Sequence, residues 1–282
     1  MLPKSTIVIT NCTQRKRSPG AAICADRVLG GHREKASLSA AANYWLKSVS
    51  GGIETLPVEQ TYGGRSFSEA RWAAEYLNAD LYVVSAGLGL LPPKTLIPHY
   101  NLTVAGGTGS IQGLLTRNQA APSDWWKALT TATGNPDPIH KLIQSNRVER
   151  VFLALPAAYL DMLQHDLKKI CKEKARKLWI LTSPLGSRTL PTHLIDLVLP
   201  YDERIEGIYP GTRTDFPQRA LRHFITSFPS DLTHNQAKAK VLKVMEKSIM
   251  NRPGFTRHFL AYKFRPSRGC HEWEAIYRGI SN

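Results

Sequence analysis

Four short runs of apolar and β-branched residues constrain the fold of this chain more than any other feature. They cover residues 6–10, 81–85, 150–155 and 178–182, and segments with helical spacing lie between them. Apolar runs of this length, bounded by polar or small residues, are typical of strands buried on both faces of a sheet. Strands that alternate with helices predict an α/β fold with a mostly parallel, layered sheet and flanking helices.

Apolar spacing and capping residues predict the helices. A helix over residues 37–49 is stopped by Gly51 and Gly52, and Ser66 is predicted as the N-cap of a helix over 66–77, with Glu69 as its capping-box partner. Further predicted segments are helices at 123–132, 137–145 and 157–174, strands at 53–58 and 195–199, and an irregular loop or lid at 104–121.

The character of the chain changes after Pro210 and Gly211. Helices with basic faces are predicted at 216–228 and 233–249, followed by a strand-like stretch at 258–264 and a helix at 271–277. This order resembles a small winged-helix or helical nucleic-acid module. The sequence therefore predicts an α/β domain over residues 1–212 and a small, basic, mainly helical C-terminal module over 213–282.

The charge of the chain indicates a polyanionic partner. Lys and Arg number 37 against 22 acidic residues, which gives a formal net charge of +15 and a pI of about 9.8. Cations that neutralise phosphates release condensed counterions, so we expect binding to nucleic acid, DNA in the first place. The residues expected to contact nucleic acid are Arg15, Arg17, Arg213, Arg219, Arg222, Lys240, Lys243, Arg257 and Arg268.

The cysteines argue for a reducing compartment. All four are scattered without a CxxC pair, the first residues read as a strand and not as a leader, and no run is long enough to span a bilayer. We therefore expect free thiols, a cytoplasmic location and no membrane partner. The chain lacks established zinc spacings, the zinc-deaminase signature and a Gly-x-Ser-x-Gly elbow, so we expect neither a metal nor another cofactor.

The end of the first strand carries the first candidate site. Asn11 and Cys12 are followed by three cations, Arg15, Lys16 and Arg17. Nearby cations favour the thiolate, which is the nucleophilic form of a cysteine. The alternative is an inert buried cysteine beside a solvated basic turn.

Two further segments are candidates for binding a substrate. Tyr62 and Arg65 flank Gly63 and Gly64, which permit close backbone approach ahead of a helix N-terminus, although an ordinary turn explains them equally well. After the strand at 81–85, Ser85 and Gly87 stand at a strand end, where open α/β sheets form ligand crevices. Tyr100 can stack on a base and Asn101 can pair with a base edge.

Three stretches resemble the YaaA-like family, and within it the DpdC-like group of DNA 7-deazaguanine modification systems. They are IVITNCTQRK at residues 7–16, LYVVSAGLGLL at 81–91 and IPHYNLT at 97–103. The resemblance implies an α/β domain and hydration of the nitrile of 7-cyano-7-deazaguanine, already placed in DNA, to the 7-amido form. It implies other DNA-modification proteins as partners, in a system that marks DNA against restriction.

The residues allow two routes for such a reaction. The Cys12 thiolate adds to the nitrile and water cleaves the thioimidate, or an activated water adds directly, with Lys16 or Tyr100 giving a proton to nitrogen. Asn11, Ser85, Gly87, Asn101, Tyr62 and Arg65 are the expected substrate-binding residues.

Two other functions compete with this interpretation. A glycosylase or base-exchange enzyme would need a carboxylate near the sugar, and Asp80, Asp202 and Glu203 are available. A non-catalytic DNA-binding protein would need only the basic surface, and would show strong, salt-sensitive affinity without turnover.

Overall fold

A five-stranded sheet forms the centre of the molecule. The structure is a computed structural model, and it describes residues 5–17, 21–30, 37–51 and 55–250. The sheet order is β5-β4-β1-β8-β9, with four parallel strands and the antiparallel β5 at one edge. The strands are β1 (Ser5–Asn11), β2 (Ile23–Cys24), β3 (Thr55–Pro57), β4 (Asp80–Ser85), β5 (Gly89–Leu91), β6 (Leu96–Pro98), β7 (Tyr100–Asn101), β8 (Val148–Ala154) and β9 (Leu178–Leu181).

Helices cover this sheet in two groups, and the predicted mostly parallel α/β architecture is confirmed. A helix near the C-terminal end of the described chain, α13, packs against α4, β8 and β9, while α6 packs against α2, α8 and α9. The helices are α1 (Ala25–Gly30), α2 (Leu38–Ser50), α3 (Val58–Thr61), α4 (Arg65–Tyr76), α5 (Gln112–Arg117), α6 (Pro122–Ala132), α7 (Pro138–Gln144), α8 (Ala157–Met162), α9 (Gln164–Lys169), α10 (Lys172–Ala175), α11 (Pro184–Ser187), α12 (Thr192–Ile195), α13 (Phe216–Ser227) and α14 (His234–Met250), and two 3-10 helices cover Glu203–Gly207 and Arg213–Asp215.

Several predicted elements need correction. The predicted helix over 157–174 is three short helices. It is interrupted at Leu163 and again at Ile170, where the chain is extended and the carbonyl accepts a hydrogen bond from His193. The predicted strand over 195–199 is wrong, since Val198 forms only an isolated bridge with Ile180 beside β9. The predicted loop over 104–121 contains α5.

The start of α4 also differs from the prediction. Its N-cap is Gly64, at φ +90°, and Ser66 lies inside the first turn. A backbone angle in this range favours glycine, so the chain turns into the helix earlier than a serine cap would place it. Glu69 is not a capping partner, because Tyr209 and Arg222 bind its carboxylate.

The predicted C-terminal module is only partly within the described residues. Phe216 and Leu221 of α13 are buried in the same core as the sheet. The strand predicted at 258–264 and the helix predicted at 271–277 lie outside the described residues.

Candidate functional site

Cys12 lies at the point where the strand order reverses. From β1 the chain passes to β4 on one side of the sheet, and later to β8 on the other side. In open α/β sheets this arrangement opens a crevice at the carboxyl ends of the two adjacent strands, which is where ligands bind. Cys12 directly follows β1, and its Sγ lies 3.0 Å from the hydroxyl of Tyr159, which belongs to the helix after β8.

Buried amides hold the backbone of this crevice. Asn11 donates to the carbonyl oxygen of Cys12 at 2.9 Å. Gln218 of α13 donates to the side-chain oxygens of Asn11 and Thr10 and to the carbonyl of Ala154, each at 3.0 Å. This amide therefore connects the ends of β1 and β8, and α13 contributes directly to the site.

The loop over residues 13–17 is fixed against the turn before α4. Thr13 donates its hydroxyl hydrogen toward the carbonyl of Gly63 at 2.8 Å, and Gly63 N–H donates to the carbonyl of Arg15 at 2.9 Å. Arg17 N–H donates to Thr61 at 2.8 Å. The loop after β1 and the turn before α4 are therefore hydrogen-bonded to each other, although the sequence presented them as separate candidates. Arg15 and Arg17 are exposed on this loop.

Lys16 points inward from the same loop. Its Nζ donates to the carbonyl of Thr13 at 3.1 Å and lies 4.4 Å from the ring centroid of Tyr100 and 5.6 Å from that of Tyr62. Burial lowers the pKa of Lys16 below its usual 10.5, and the negative charge of Cys12 as a thiolate opposes this shift. Lys16 therefore gives up a proton more readily than an exposed lysine.

Three hydroxyl groups form a chain with a defined direction. Ser85 Oγ accepts hydrogen bonds from the N–H groups of Gly87 at 3.2 Å and Leu88 at 2.9 Å, which occupies both of its lone pairs. Its own hydrogen is therefore donated to the Tyr100 hydroxyl at 2.5 Å, and Tyr100 donates to Tyr62 at 2.6 Å. The hydrogen left over at the end of the chain is that of Tyr62.

These tyrosines remain protonated over the ordinary pH range. Burial raises the pKa of Tyr62, Tyr100 and Tyr159, and the nearby charge of Cys12 raises each of them further. Each hydroxyl is therefore a neutral hydrogen-bond donor beside the thiol.

Two indoles close the strand end after β4. Trp45 donates to the carbonyl of Gly87 at 2.7 Å and Trp125 donates to that of Ala86 at 2.8 Å. A Cβ added at Gly87 would lie 2.8 Å from the ring of Tyr100, which explains why glycine stands there. Gly87 thus positions Tyr100 through close packing and leaves its carbonyl to Trp45.

The predicted substrate residue Asn101 lies in a different setting. It pairs with Cys24 in the small parallel sheet of β2 and β7, and its side chain lies against the backbone of Gly109. Its neighbour Tyr100 enters the hydroxyl chain, so the two residues face different surroundings.

The thiol itself is nearly covered. Cys12 is 5% exposed, and a cavity of about 500 Å³ lies at the other end of the sheet, where Asp80 begins β4. That cavity is lined by Glu59, Gln60, Arg71, Ala74, Glu75, Asn78, Ala79, Asp80, Leu81 and Pro93. It does not reach Cys12, so we do not assign it to the candidate site.

Two of the predicted nucleic-acid contacts, Arg219 and Arg222, form ion pairs within the protein. Arg219 is fully buried, with Asp215 and Glu206 each 2.6 Å from its guanidinium, so it has no surface to offer a phosphate. Arg222 binds the carboxylate of Glu69 at 2.9 Å, and 32% of its side chain stays exposed. Both cations are therefore ion-paired, but only Arg222 keeps a surface that faces solvent.

The other predicted basic contacts have varied positions. Arg65 is half exposed and pairs with Glu69 at 3.7 Å and Asp215 at 3.5 Å. Exposed side chains are found at Arg213, Lys240 and Lys243, whereas Arg257 and Arg268 lie outside the described residues.

The carboxylates expected of a glycosylase do not gather at the thiol. Asp80 stands at the amino end of β4, and Asp202 forms an ion pair with Arg204 at 2.7 Å. Within residues 5–17, 21–30, 37–51 and 55–250, no cluster of three or more His, Cys, Asp or Glu could hold a metal ion. In the same part of the chain, every helix is too short or too polar to cross a membrane.

Sequence reasoning missed three contributors to the site. Tyr159, Gln218 and Trp45 come from distant parts of the chain. Tyr159 follows the end of the strand at 150–155, so the strand-end rule applied to Cys12 could have found it.

Comparisons with known proteins give no relatives. The chain matches no protein-family model, no curated protein and no solved structure. The resemblance to the YaaA-like family therefore stays a hypothesis based on three short motifs.

Proposed function

We propose that this protein is a thiol-dependent enzyme that hydrates the nitrile of 7-cyano-7-deazaguanine in DNA to the 7-amido form. The observation that supports it is the Cys12 thiol at the switch point of the sheet, 3.0 Å from the Tyr159 hydroxyl and in electrostatic contact with the partly buried cation of Lys16. A nitrile carbon becomes electrophilic when its nitrogen is protonated or hydrogen-bonded, and these groups supply a nucleophile and acids.

In the first step the thiolate sulfur bonds to the nitrile carbon. One π electron pair of the C≡N bond moves to nitrogen, which takes a proton and gives a neutral thioimidate. Lys16 gives this proton, because the hydrogen of Tyr100 is held by Tyr62 and the raised pKa of Tyr62 leaves that tyrosine a hydrogen-bond donor and not an acid. Tyr159 donates to the thiolate before it attacks.

In the second step water adds to the thioimidate carbon. The carbon–sulfur bond breaks, and its electron pair returns to sulfur as the thiolate. One proton of the water goes to nitrogen, which stays in the product as the carboxamide NH₂, and the other proton returns to Lys16, so one water is consumed in all.

The coverage of Cys12 sets a requirement for access. At 5% exposure the thiol is out of reach of a base stacked in a duplex. The base must leave the stack, which costs about a few kcal/mol, and the side chains around Cys12 must shift to admit it. Arg15 and Arg17, exposed on the loop over 13–17, are placed to hold the flanking phosphates.

The test is mass spectrometry of nucleosides released from DNA that carries 7-cyano-7-deazaguanine, after incubation with the full chain. We expect the nucleoside to gain the mass of one water. Cys12→Ala should abolish the gain, and Cys171→Ser, at an exposed thiol, should leave it unchanged.

Three other outcomes of this test would each support a different mechanism or function. Full turnover by Cys12→Ala would contradict the thioimidate route and favour direct attack by water. Release of free base would identify a glycosylase or exchange enzyme. Salt-sensitive DNA binding without any change in mass would leave a binding protein.

A further inference from the structure

One side of α4 carries a stack of rings and guanidinium groups. Arg65, Glu69, Trp72 and Tyr76 follow one another at spacings of four, three and four residues, which places them on one face of the helix. The rings of Trp72 and Tyr76 are stacked, with centroids 5.0 Å apart and planes inclined by 19°. The guanidinium carbon of Arg222 lies 4.0 Å from the centroid of Trp72.

Tyr209 extends this arrangement toward the start of the helix. Its ring centroid lies 5.5 Å from the guanidinium of Arg222 and 5.8 Å from that of Arg65. We call this series the α4 stack, and its five members are Tyr76, Trp72, Arg222, Tyr209 and Arg65.

The solvent side of the α4 stack is cationic. The side chain of Glu69 is 8% exposed, whereas those of Arg65 and Arg222 are 48% and 32% exposed. The carboxylate thus lies beneath the two guanidinium groups and also accepts a hydrogen bond from Tyr209. A ligand approaching from solvent meets positive charge and aromatic rings together.

The α4 stack begins beside the candidate site. The turn before α4 is hydrogen-bonded to the loop that carries Lys16, and Arg65 opens the helix two residues after Gly63. A helix of this length extends roughly 18 Å, at about 1.5 Å per residue. The stack leads away from the thiol and ends at Tyr76, which is 57% exposed.

We propose that the α4 stack binds single-stranded nucleic acid, with a base on the exposed face of the Tyr76 ring, which Trp72 supports from beneath, and phosphates at Arg65 and Arg222. Aromatic rings combined with cations along a track are how proteins hold single strands without reading sequence, since every base has a π face. The proposal deepens the proposed function, because it gives a path to the strand that carries the extruded base. Its evidence is the stack alone, and it does not depend on nitrile chemistry.

Binding of a fluorescent oligodeoxythymidylate of roughly 15 nucleotides, followed by anisotropy with the full chain, tests the proposal. Tyr76→Ala should weaken binding about tenfold, which is the loss expected for one base–aromatic stack. The matched control is Tyr44→Ala, which removes a 43% exposed tyrosine from α2 and should change binding by less than about twofold. Equal effects of the two variants would overturn the proposal.

A second probe separates single strands from other ligands. With a blunt duplex of the same length, Tyr76→Ala should change binding by less than about twofold, and a loss equal to that seen with the single strand would overturn the assignment. Trp72→Phe, which keeps a stacking ring, should retain most of the affinity. If the protein does not hydrate the nitrile but Tyr76→Ala still weakens single-strand binding, the proposed function is refuted and the proposal for the α4 stack is retained. If the protein hydrates the nitrile but Tyr76→Ala does not weaken single-strand binding, the proposed function is retained and the proposal for the α4 stack is refuted.

Discussion

At the residue scale, the side chain in contact with the Cys12 sulfur is a neutral tyrosine, and the nearby cation is a partly buried lysine. Tyr159 can turn its single hydrogen either to the sulfur or to the carbonyl oxygen of Cys12, at 3.0 and 3.3 Å. Such a donor binds a thiolate without a permanent charge of its own. Lys16 supplies the charge, and because burial lowers its pKa it can also supply a proton.

Lys16→Met should remove a titration from the activity profile. As the acid, Lys16 must be protonated, so the rate of the wild-type enzyme should fall as the pH rises through a pKa below 10.5. Without that group the rate should fall by about 100-fold or more, and the pH–rate profile of the variant should no longer fall at alkaline pH. The measurement is the pH dependence of kcat for nitrile hydration.

Lys16→Arg serves as the companion variant. It keeps a positive charge that does not titrate in this range, so the alkaline limb should again be absent while thiolate formation is retained. An unchanged alkaline limb in Lys16→Met would contradict the assignment of the proton to Lys16.

The sequence was enough to predict the site residues that lie next to the strand ends, but not their partners from distant parts of the chain. Cys12, Lys16 and Ser85 are adjacent to recognisable strands, and the strand-end rule was enough to select them. The partner Tyr159 is separated from Cys12 by 147 residues, and only the sheet order brings the two together. The direction of the hydroxyl chain depends on two backbone N–H groups that the sequence does not reveal.

At the scale of elements, tertiary contacts decide what local patterns leave open. The apolar spacing over 157–174 continues through the break at Ile170, because the same face stays buried on both sides of it. What interrupts the helix is a hydrogen bond from His193 to the carbonyl of Ile170. A pattern of apolar residues predicts which face of a helix is buried, but not where a distant side chain will donate a hydrogen bond to a backbone carbonyl.

Asp166 of α9 connects three helices and should make their packing sensitive to pH. Its carboxylate accepts from Trp126 of α6 at 3.3 Å and from the N–H of Ile139 in α7 at 2.7 Å. Burial raises the pKa of Asp166 from 3.8 to about 6. The native state therefore binds a proton that the unfolded chain has already lost, and this contribution to stability disappears as the pH rises from about 4 to about 6.

Asp166→Asn should abolish this loss. Relative to wild type, the free energy of unfolding of the variant should rise by up to ~3 kcal/mol between pH 4 and 6 and then stay constant. Urea titrations across this pH range measure the difference. Asp166→Ala removes the acceptor altogether and should be less stable at every pH, and a difference for Asp166→Asn that does not vary with pH would contradict the assignment.

At the scale of the whole molecule, the net charge of +15 overstates the cationic surface. Arg219 is buried against the chain's own carboxylates, whereas Arg15 and Arg17 are exposed beside the candidate site. Composition predicts an anionic partner. It could not show which cations remain free of internal partners, since that depends on the fold.

Arg15→Gln with Arg17→Gln should reduce the salt dependence of DNA binding. Each lost phosphate contact lowers the slope of log Kobs against log salt by about 0.9, so the double variant should lose about 2. The control is Lys94→Gln with Lys172→Gln, which removes the same charge from exposed positions elsewhere. Equal slopes for the two double variants would mean that net charge alone governs binding.

The central place of β1 has a consequence for the chain as it leaves the ribosome. This first strand pairs with β4 and β8, and the crevice at its end is completed by Tyr159 and Gln218. Synthesis proceeds from the amino end at about 5–20 residues per second, so Cys12 emerges long before the groups that cover it. A nascent chain therefore presents its thiol to cellular oxidants until Tyr159 has been made and β1 has paired with β4 and β8, and a product truncated before that point would keep the thiol accessible.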